Sequence, residues 1–204
     1  MWQYEKRLEY PVNIKQTDPK TAQYILSQYG GPDGEINASL RYLSQRYSIP
    51  YREVAGLLTD IATEEIAHFE MIATIVHQLT RDLTPEEIKA SNFGPYYIDH
   101  TLAVWPQAAG GVPQNACEFQ SKGDPITDLM EDMAAEQKAR TTYDNILRVV
   151  KDPDVVDPIR FLRAREVVHF QRFGEALSII QSKLDSNNYY FYNPECDKNC
   201  SCKK

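Results

Sequence analysis

Apolar residues recur every three or four positions through four long stretches of the chain, which is the spacing of a helix with one buried face. Three of the stretches begin with an Asp-Pro pair, because aspartate caps a helix and proline suits its first position. The predicted helices span about residues 18–47, 51–79, 124–151 and 157–183. In the first of them, the glycine-rich segment 30–34 either bends the helix or ends it. The pattern predicts an all-α domain.

Three segments lack such a stripe. Residues 1–17 alternate polar and apolar positions and contain a proline, which predicts an extended N-terminal arm. Residues 80–123 form one long crossover, whose segment 84–87 is Thr-Pro-Glu-Glu, a capping box that predicts a short helix. Residues 187–204 are rich in tyrosine, asparagine, cysteine and lysine, so we expect a disordered or partner-binding tail. The domain itself is predicted to cover residues 1–186.

Composition narrows the class of protein. The 204 residues have a formal net charge of -7, and a general nucleic-acid binder has a basic face, so we expect no nucleic-acid partner. No apolar run is long enough to cross a bilayer, and the N-terminus lacks the apolar core of a secretory signal. We therefore expect synthesis in the cytoplasm and no membrane contact. Three of the four cysteines lie in the last nine residues, which is not the distribution of a disulfide framework.

Two of the predicted helices interrupt their aliphatic stripe with a Glu-x-x-His pair. Glu65 and His68 lie in one helix, and Glu166 and His169 lie in the other. Residues three apart on a helix project from the same face, so both pairs point into the predicted core. A carboxylate and an imidazole buried without partners would be costly, and a metal ion removes that cost by binding both. One such pair is a weak signal, but two in core stripes predict a metal site.

Two further glutamates complete the pattern. Glu136 lies in the inward stripe of the third helix, and Glu35 follows the glycine-rich segment of the first. Glu35 stands 30 positions before Glu65, and Glu136 stands 30 positions before Glu166. This is the ligand set of dinuclear sites in ferritin-like bundles, so the sequence predicts a ferritin-like four-helix bundle with one long crossover. Carboxylate and imidazole ligands suit manganese and iron alike.

Other polar residues near these positions give weaker signals. Arg140 lies one turn after Glu136 and is expected to hydrogen-bond a ligand carboxylate, unless its stem packs while its head reaches solvent. Glu64 falls about 100° from the stripe and is expected to be a surface charge. Tyr24, Tyr42 and Tyr143 could line the site, but tyrosine is also ordinary core material, so the sequence assigns them no role.

These residues give the chain a resemblance to a known family. Residues 1 to about 183 resemble the manganese catalases, and most closely the short spore-coat branch of that family. The resemblance rests on the segments 29–35 (YGGPDGE), 58–68 (LTDIATEEIAH), 122–125 (KGDP), 134–136 (AAE) and 165–169 (REVVH). Together these segments sample nearly the whole predicted domain.

The resemblance implies a dimanganese centre that converts hydrogen peroxide to water and oxygen. The implied metal ligands are Glu35, Glu65, His68, Glu136 and His169. Glu65 would bridge the two ions, and Glu166 would lie beside them as a catalytic group that forms hydrogen bonds or transfers protons. The resemblance also implies a homo-oligomer, which is a hexamer in the longer members.

The chain departs from the family pattern at two positions. Ala135 stands where longer members have an arginine before the third glutamate. Tyr143 stands where another branch has a lysine. Both positions are associated with access to the centre or with its tuning, so the resemblance does not set the level of activity.

Three functions remain compatible with the residues. The first is the manganese catalase reaction, carried out by a protein of the spore coat. The second is a diiron ferroxidase or peroxidase on the same ligand set. The third is a structural coat protein whose metal site is vestigial or only stabilises the fold. Because tyrosines and thiols can be cross-linked oxidatively, the tail 187–204 is expected to bind spore-coat partners.

Overall fold

The structure, a computed structural model, describes residues 5, 7–118 and 120–183. The predicted tail, and the predicted domain boundary after residue 186, lie outside these residues. The helices of the described chain are α1 (Pro19–Gly30), α2 (Glu35–Gln45), α3 (Arg52–Thr80), α4 (Pro85–Ala90), α5 (Gly94–His100), α6 (Pro125–Val149) and α7 (Pro153–Lys183). A short 3-10 helix covers Ala116–Glu118.

The long helices α3, α6 and α7 pack with the broken helix α1–α2 as a four-helix bundle, which confirms the predicted architecture. Short loops join α2 to α3 and α6 to α7, whereas residues 81–124 cross over between α3 and α6. The described part of the chain has no strand and only an isolated bridge between Gln107 and Pro113. Across the same residues, every helix is too short or too polar to cross a membrane.

The glycine-rich segment ends α1, and α2 begins shortly after it. The Gly31 amide donates to the Ser27 carbonyl at 3.1 Å. A β-carbon on Gly31 would lie 2.4 Å from Ser27 O, and one on Gly30 would lie 2.3 Å from Gln107 N in the crossover, so both positions require glycine. The break makes Glu35 the first residue of α2, where the positive end of the helix dipole favours a carboxylate.

The last helix begins earlier than the sequence predicted. The prediction placed its start at Asp157-Pro158, but α7 begins at Pro153, and Pro158 lies inside it. The Asp152 carboxylate accepts a hydrogen bond from the Asp154 amide at 3.0 Å and so caps the helix. Asp152-Pro153 and Asp157-Pro158 both have the composition of a helix start, and the helix begins at the first of these pairs.

The inward face of α6 also differs from the predicted stripe. The positions predicted to face inward but found only partly buried are Ile126, Met133, Arg140 and Leu147. The buried residues include Asp128, Asp132, Ala135, Ala139 and Tyr143. Alanine adds little to an apolar pattern and aspartate adds nothing, so a face built from them gives a weak signal in the sequence.

The predicted N-terminal arm is extended and lies against the end of α3. Ile14 is fully buried, and its amide donates to Gln78 Oε1 at 2.6 Å. Gln78 Nε2 donates in turn to the Val12 carbonyl at 3.1 Å, and Arg81 Nη2 donates to the Ile14 carbonyl at 3.2 Å. These bonds fix the arm on the bundle.

The apolar core is divided into two clusters with a polar layer between them. On α3, Ile61 belongs to one cluster and Ile72 to the other. On α7, Phe173 and Leu162 divide in the same way. The residues between these positions include the two Glu-x-x-His pairs, so the bundle surrounds them with apolar side chains at both ends.

Candidate metal centre

The polar layer brings the predicted acidic and imidazole residues together. Glu65, His68, Glu166 and His169 are all buried, and one possible ligand atom from each lies within 4.8 Å of the others. Glu35 from α2 and Glu136 from α6 reach the same layer and are 2% and 1% exposed. Four separate helical segments therefore contribute to one cluster.

Glu65 lies between the two histidines. Its Oε2 atom is 2.9 Å from His68 Nδ1, and its Oε1 atom is 2.7 Å from His169 Nδ1. Glu35 Oε2 lies 3.9 Å from the same Nδ1 atom of His68. Glu136 Oε2 lies 3.6 Å from His169 Nδ1. The layer thus contains two similar positions, each faced by an imidazole nitrogen, a terminal carboxylate and one oxygen of Glu65.

The two positions follow an internal repeat in the sequence. An offset of 101 positions relates the first-half residues Glu35, Tyr42, Glu65 and His68 to the second-half residues Glu136, Tyr143, Glu166 and His169. Each helix pair, α2–α3 and α6–α7, therefore presents the same four residue types to the layer. The two halves of the centre are built alike.

Two tyrosines, to which the sequence assigned no role, hold the terminal carboxylates. The Tyr42 hydroxyl donates to Glu136 Oε1, and the Tyr143 hydroxyl donates to Glu35 Oε1. Each half therefore supplies a tyrosine to the carboxylate of the other half. A signal was present, because each tyrosine stands seven positions after a lone glutamate (42 − 35 and 143 − 136), two turns along the same face.

Several atoms of the layer lack the partners that a protein normally gives to buried polar groups. Glu136 Oε2 and Glu166 Oε1 have no hydrogen-bond partner in the described residues, and the carboxylate oxygens nearest to the ring nitrogens of His169 do not form hydrogen bonds of regular geometry with them. Such groups are costly when buried, and few are left in native proteins. Carboxylate oxygens and imidazole nitrogens that face one space are the donors that manganese and iron accept, so the residues fit a metal centre.

The charges of the metal-free layer are strongly coupled. Burial raises the pKa of Glu35 and Glu166 well above the usual carboxyl range, and neighbouring carboxylates raise it further. Burial acts in the same direction on Glu65, but the two histidines outweigh it and hold its pKa below the usual range. Burial would lower the pKa of His68, yet the carboxylates around it raise that pKa to about 10. A metal that binds here displaces protons from the histidines.

Glu64 lies behind the two histidines and is not the surface charge that the sequence predicted. Its Oε1 atom is 3.6 Å from His68 Nε2, and its Oε2 atom is 3.4 Å from His169 Nε2. Arg165 Nε holds the same carboxylate at 2.5 Å. The prediction was wrong because α7 covers the flank of α3 on which Glu64 stands. A carboxylate on the outer nitrogen of a histidine fixes the ring with its other nitrogen toward a metal.

The N-terminal arm adds a carboxylate to one half of the centre. Glu9 Oε2 lies 3.5 Å from His68 Nε2, on the side where Glu64 also lies. For His169, in contrast, Glu64 alone among the carboxylates of the described residues lies within 4.0 Å of Nε2. The two halves, alike in their inner residues, therefore differ behind their histidines. Glu9 lies outside the predicted helices, so the helical patterns of the sequence did not indicate that it lies near a histidine of the centre.

Arg140 lies away from the ligand carboxylates. Its Nε atom donates to Gln137 Oε1 at 2.9 Å, and its Nη1 atom donates to Asp144 Oδ2 at 2.7 Å. The inward position beside it belongs to Ala139, which is buried. The predicted contact with a ligand carboxylate is absent from the described residues, and Tyr42 and Tyr143 make such contacts instead.

A four-helix bundle with one long crossover and a buried layer of glutamates and histidines defines a ferritin-like carboxylate protein. The solved structure of a dodecameric thioferritin from Bacteroides fragilis matches this fold with a TM-score of 0.55, over 83% of this chain and 94% of that chain. The two sequences are 19% identical, so this likeness concerns the fold alone.

Within that class, the chain belongs to the manganese-containing catalase family, whose sequence model matches residues 1–189. The protein CotJC of Bacillus subtilis (strain 168) is 52% identical over 190 residues, which are 93% of this chain and 100% of that protein. The crystal structure of KatB, a manganese catalase from Anabaena, matches with a TM-score of 0.83 and 29% identity, over 95% of this chain and 85% of that one. These findings confirm the family resemblance of the sequence segments.

Proposed function

We propose that this protein holds two manganese ions in its polar layer and converts hydrogen peroxide to water and oxygen. The observation that supports this best is the place of Glu65, whose two oxygens face the Nδ1 atoms of two different histidines. A carboxylate so placed can bridge two ions, and Glu35 and Glu136 are the terminal carboxylates of the two positions. Membership of the manganese-containing catalase family supports manganese as the metal.

The reaction consumes two molecules of peroxide and must move protons as well as electrons. One peroxide is oxidised to oxygen and gives up two electrons and two protons. The other has its O–O bond cleaved and takes up two electrons and two protons to form two waters. A bound manganese pair supplies the electron transfer. The protein must therefore hold protons between the two half-reactions.

Glu166 is the group that suits this proton transfer. Its Oε1 atom has no hydrogen-bond partner in the described residues and belongs to the buried cluster. In the metal-free layer, burial and the surrounding carboxylates raise its pKa well above the usual carboxyl range, which favours the protonated form of the carboxyl group. Oε1 would accept a proton from the peroxide that is oxidised and return it to the one that is cleaved.

The remaining residues of the layer position these groups. Tyr42 and Tyr143 hold the terminal carboxylates by hydrogen bonds, and Glu64 faces the outer nitrogens of both histidines. The apolar clusters at both ends of the layer exclude bulk water. This arrangement keeps the ligand atoms in place while protons move.

The test compares two metal-loaded forms of the purified protein. The manganese form should release one oxygen molecule for every two peroxides consumed, measured with an oxygen electrode. If it releases none and the iron form oxidises ferrous ion rapidly, a diiron function replaces the present proposal. If neither form reacts, a structural function of the coat is favoured. Elemental analysis of the protein purified from its native host identifies the metal bound in the cell.

We further propose that the protein is a component of the spore coat and assembles as a homo-oligomer. The likeness to CotJC along nearly the whole chain supports the coat location, because the sequence resembles the spore-coat branch of the family. Immunoblots of coat extracts and of the spore interior should find the protein in the coat fraction. Sedimentation analysis of the purified protein should show an assembly larger than one chain, up to a hexamer.

A further inference from the structure

Three aromatic rings, those of His68, Phe161 and Tyr10, form a series that runs from the metal layer to the N-terminal arm. The His68 ring meets the edge of Phe161 on α7, with 6.4 Å between the ring centroids. Phe161 stacks on Tyr10 of the arm at 5.0 Å. The His68 ring also stacks on His169 at 5.5 Å, so both metal positions of the layer adjoin this ring series. Because Tyr10 is only partly buried, the series ends where solvent reaches it.

The arm is attached to the bundle on both sides of Tyr10. On one side, Glu9 Oε2 lies 3.5 Å from His68 Nε2. On the other, the Ile14 amide donates to Gln78 Oε1 at 2.6 Å. These contacts fix the distance of the Tyr10 ring from the metal layer, and electrons can pass between rings that are packed this closely.

The ring series belongs to only one half of the centre. The offset of 101 positions places Asp60, an exposed residue, where the second half has Phe161. Phe161 and Tyr10 are also absent from the four residue types that each half presents to the layer. The metal layer is therefore built without these two rings, and a separate function can be tested without removing a ligand.

Tyr10 differs from the tyrosines of the layer in what can reach it. Tyr42 and Tyr143 are fully buried and donate to ligand carboxylates, so a molecule in solvent does not touch them. Tyr10 is partly exposed. A tyrosine can lose one electron together with its hydroxyl proton, and another phenol can restore both at little cost because its O–H bond has nearly the same strength.

We infer that the protein also oxidises phenols with hydrogen peroxide, and that Tyr10 is the residue at which a phenol delivers its electrons. The substrates are molecules that present a phenol to Tyr10 from solvent, such as the tyrosine side chains of polypeptides. The electrons pass from Tyr10 through Phe161 to the layer beside His68. This inference rests on the proposed function, since the bound metal pair of that proposal must accept the electrons.

The electrons and atoms of this reaction balance. One peroxide has its O–O bond cleaved and takes up two electrons and two protons to form two waters. Two phenols supply these in place of a second peroxide, one electron and one proton each. Tyr10 loses an electron through the ring series and its hydroxyl proton to solvent, and each phenol in turn restores both. The two phenoxyl radicals couple through a new carbon–carbon bond and form one biphenol.

The test supplies the manganese-loaded protein with peroxide and N-acetyltyrosinamide, a phenol whose coupled product is fluorescent. Tyr10→Phe keeps a ring against Phe161 but has no hydroxyl proton to lose, so it should lose most of the product. Its oxygen release and manganese content should equal those of the wild type. Tyr10→Trp places another oxidisable ring at the same position and should recover part of the product. Tyr47→Phe is the matched control, because Tyr47 is 81% exposed and lies outside the ring series, and it should change nothing.

A second measurement locates the oxidised residue without any substrate turnover. The manganese-loaded protein is mixed with peroxide and a nitroso spin trap, and mass spectrometry identifies the residue that carries the trap. The adduct should form on Tyr10 and not on the more exposed Tyr47. The zinc-loaded protein should form none, because zinc undergoes no redox change.

The outcomes separate this inference from the proposed function. Wild-type amounts of the coupled phenol in Tyr10→Phe, or as much adduct on Tyr47 as on Tyr10, would overturn the inference even if oxygen release is normal. Oxygen release without any oxidation of the phenol would overturn it in the same way. If the wild-type protein releases no oxygen but oxidises the phenol through Tyr10, the catalase reaction fails and the phenol site stands.

Discussion

At the scale of single residues, both proposed metal positions would depend on Glu65, because one of its oxygens faces each histidine. Glu65→Ala should therefore lose both manganese ions, whereas Glu35→Ala should lose only the ion on the side of His68. Elemental analysis after exposure to a chelator measures the ions retained per chain. Asp60→Ala, which removes an exposed carboxylate from the same helix as Glu65, should keep both. Two retained ions in Glu65→Ala would contradict the bridging position.

Glu166 can be tested separately from the ligands, because glutamine has nearly the same shape but does not carry the proton. Glu166→Gln should slow oxygen release by about 10²-fold or more, the scale of a lost acid–base group, and should retain both ions. Oxygen release and metal content would be measured on the same sample. Glu175→Gln, an exposed position on α7, serves as the control. A lost ion in Glu166→Gln would show that Glu166 is a ligand instead.

At the scale of elements, the N-terminal arm makes the two halves of the centre unequal, since Glu9 approaches His68. Glu9→Gln should lower the metal affinity of the position beside His68 by about tenfold or more, which is the usual effect of removing a partner of a histidine ligand. Calorimetric titration with manganese should then separate two binding steps. Glu5→Gln changes an exposed carboxylate of the same arm and should have no such effect. Equal weakening of both steps would mean that Glu9 acts on the fold as a whole.

The contact between α1 and the crossover can be tested with two glycines that differ in their surroundings. Gly30→Ala would place a methyl group 2.3 Å from the backbone of the crossover, so we expect a loss of about 1–3 kcal/mol or more in the free energy of unfolding. Gly56 has no atom within 4 Å of a β-carbon, and Gly56→Ala should raise that free energy by about 0.5–1 kcal/mol. Urea denaturation of the metal-free variants measures both. A stable Gly30→Ala would mean that the crossover is free to move away.

Elements with a clean apolar pattern were predictable from the sequence, and the others were not. The stripe of α3 combines aliphatic residues with Glu65 and His68, and all of these positions are buried. The face of α6 is built from residues such as Ala135, Ala139 and Asp132, whose weak apolar signal led the prediction to place Arg140 inward. The predicted start of α7 was wrong because two Asp-Pro pairs, Asp152-Pro153 and Asp157-Pro158, both have the composition of a helix start.

The parts of the centre that the sequence did not predict are contacts between distant elements. Tyr42 and Glu136 are far apart in the chain, and the pattern of one helix contains no information on the side chain that another helix presents to it. The angle of Glu64 on α3 alone indicates a surface position, because that angle contains no information on the α7 helix that covers it. Glu9 belongs to an arm whose course depends on hydrogen bonds to α3, so only the folded structure brings it to His68.

At the scale of the whole molecule, the polar layer and the apolar clusters are formed by residues that precede the tail, and the tail 187–204 has no apolar periodicity with which to join them. A chain that ends after residue 186 should therefore keep its metal content and its melting temperature. It should lose incorporation into the coat if the tail 187–204 binds coat partners, as we predict. Metal analysis, thermal unfolding and coat fractionation of the truncated protein measure these properties. Loss of metal on truncation would show that the tail contributes to the bundle.

The offset of 101 positions also relates Glu64 to Arg165, and these two residues differ in the sign of their charge. They form an ion pair between α3 and α7. If the first halves (α2–α3) of two chains packed against each other in the same way, Glu64 of one chain would face Glu64 of the other. If two second halves (α6–α7) did so, Arg165 would face Arg165. Like charges at such a short distance repel. The opposite charges therefore favour the pairing of a first half with a second half over the pairing of two like halves.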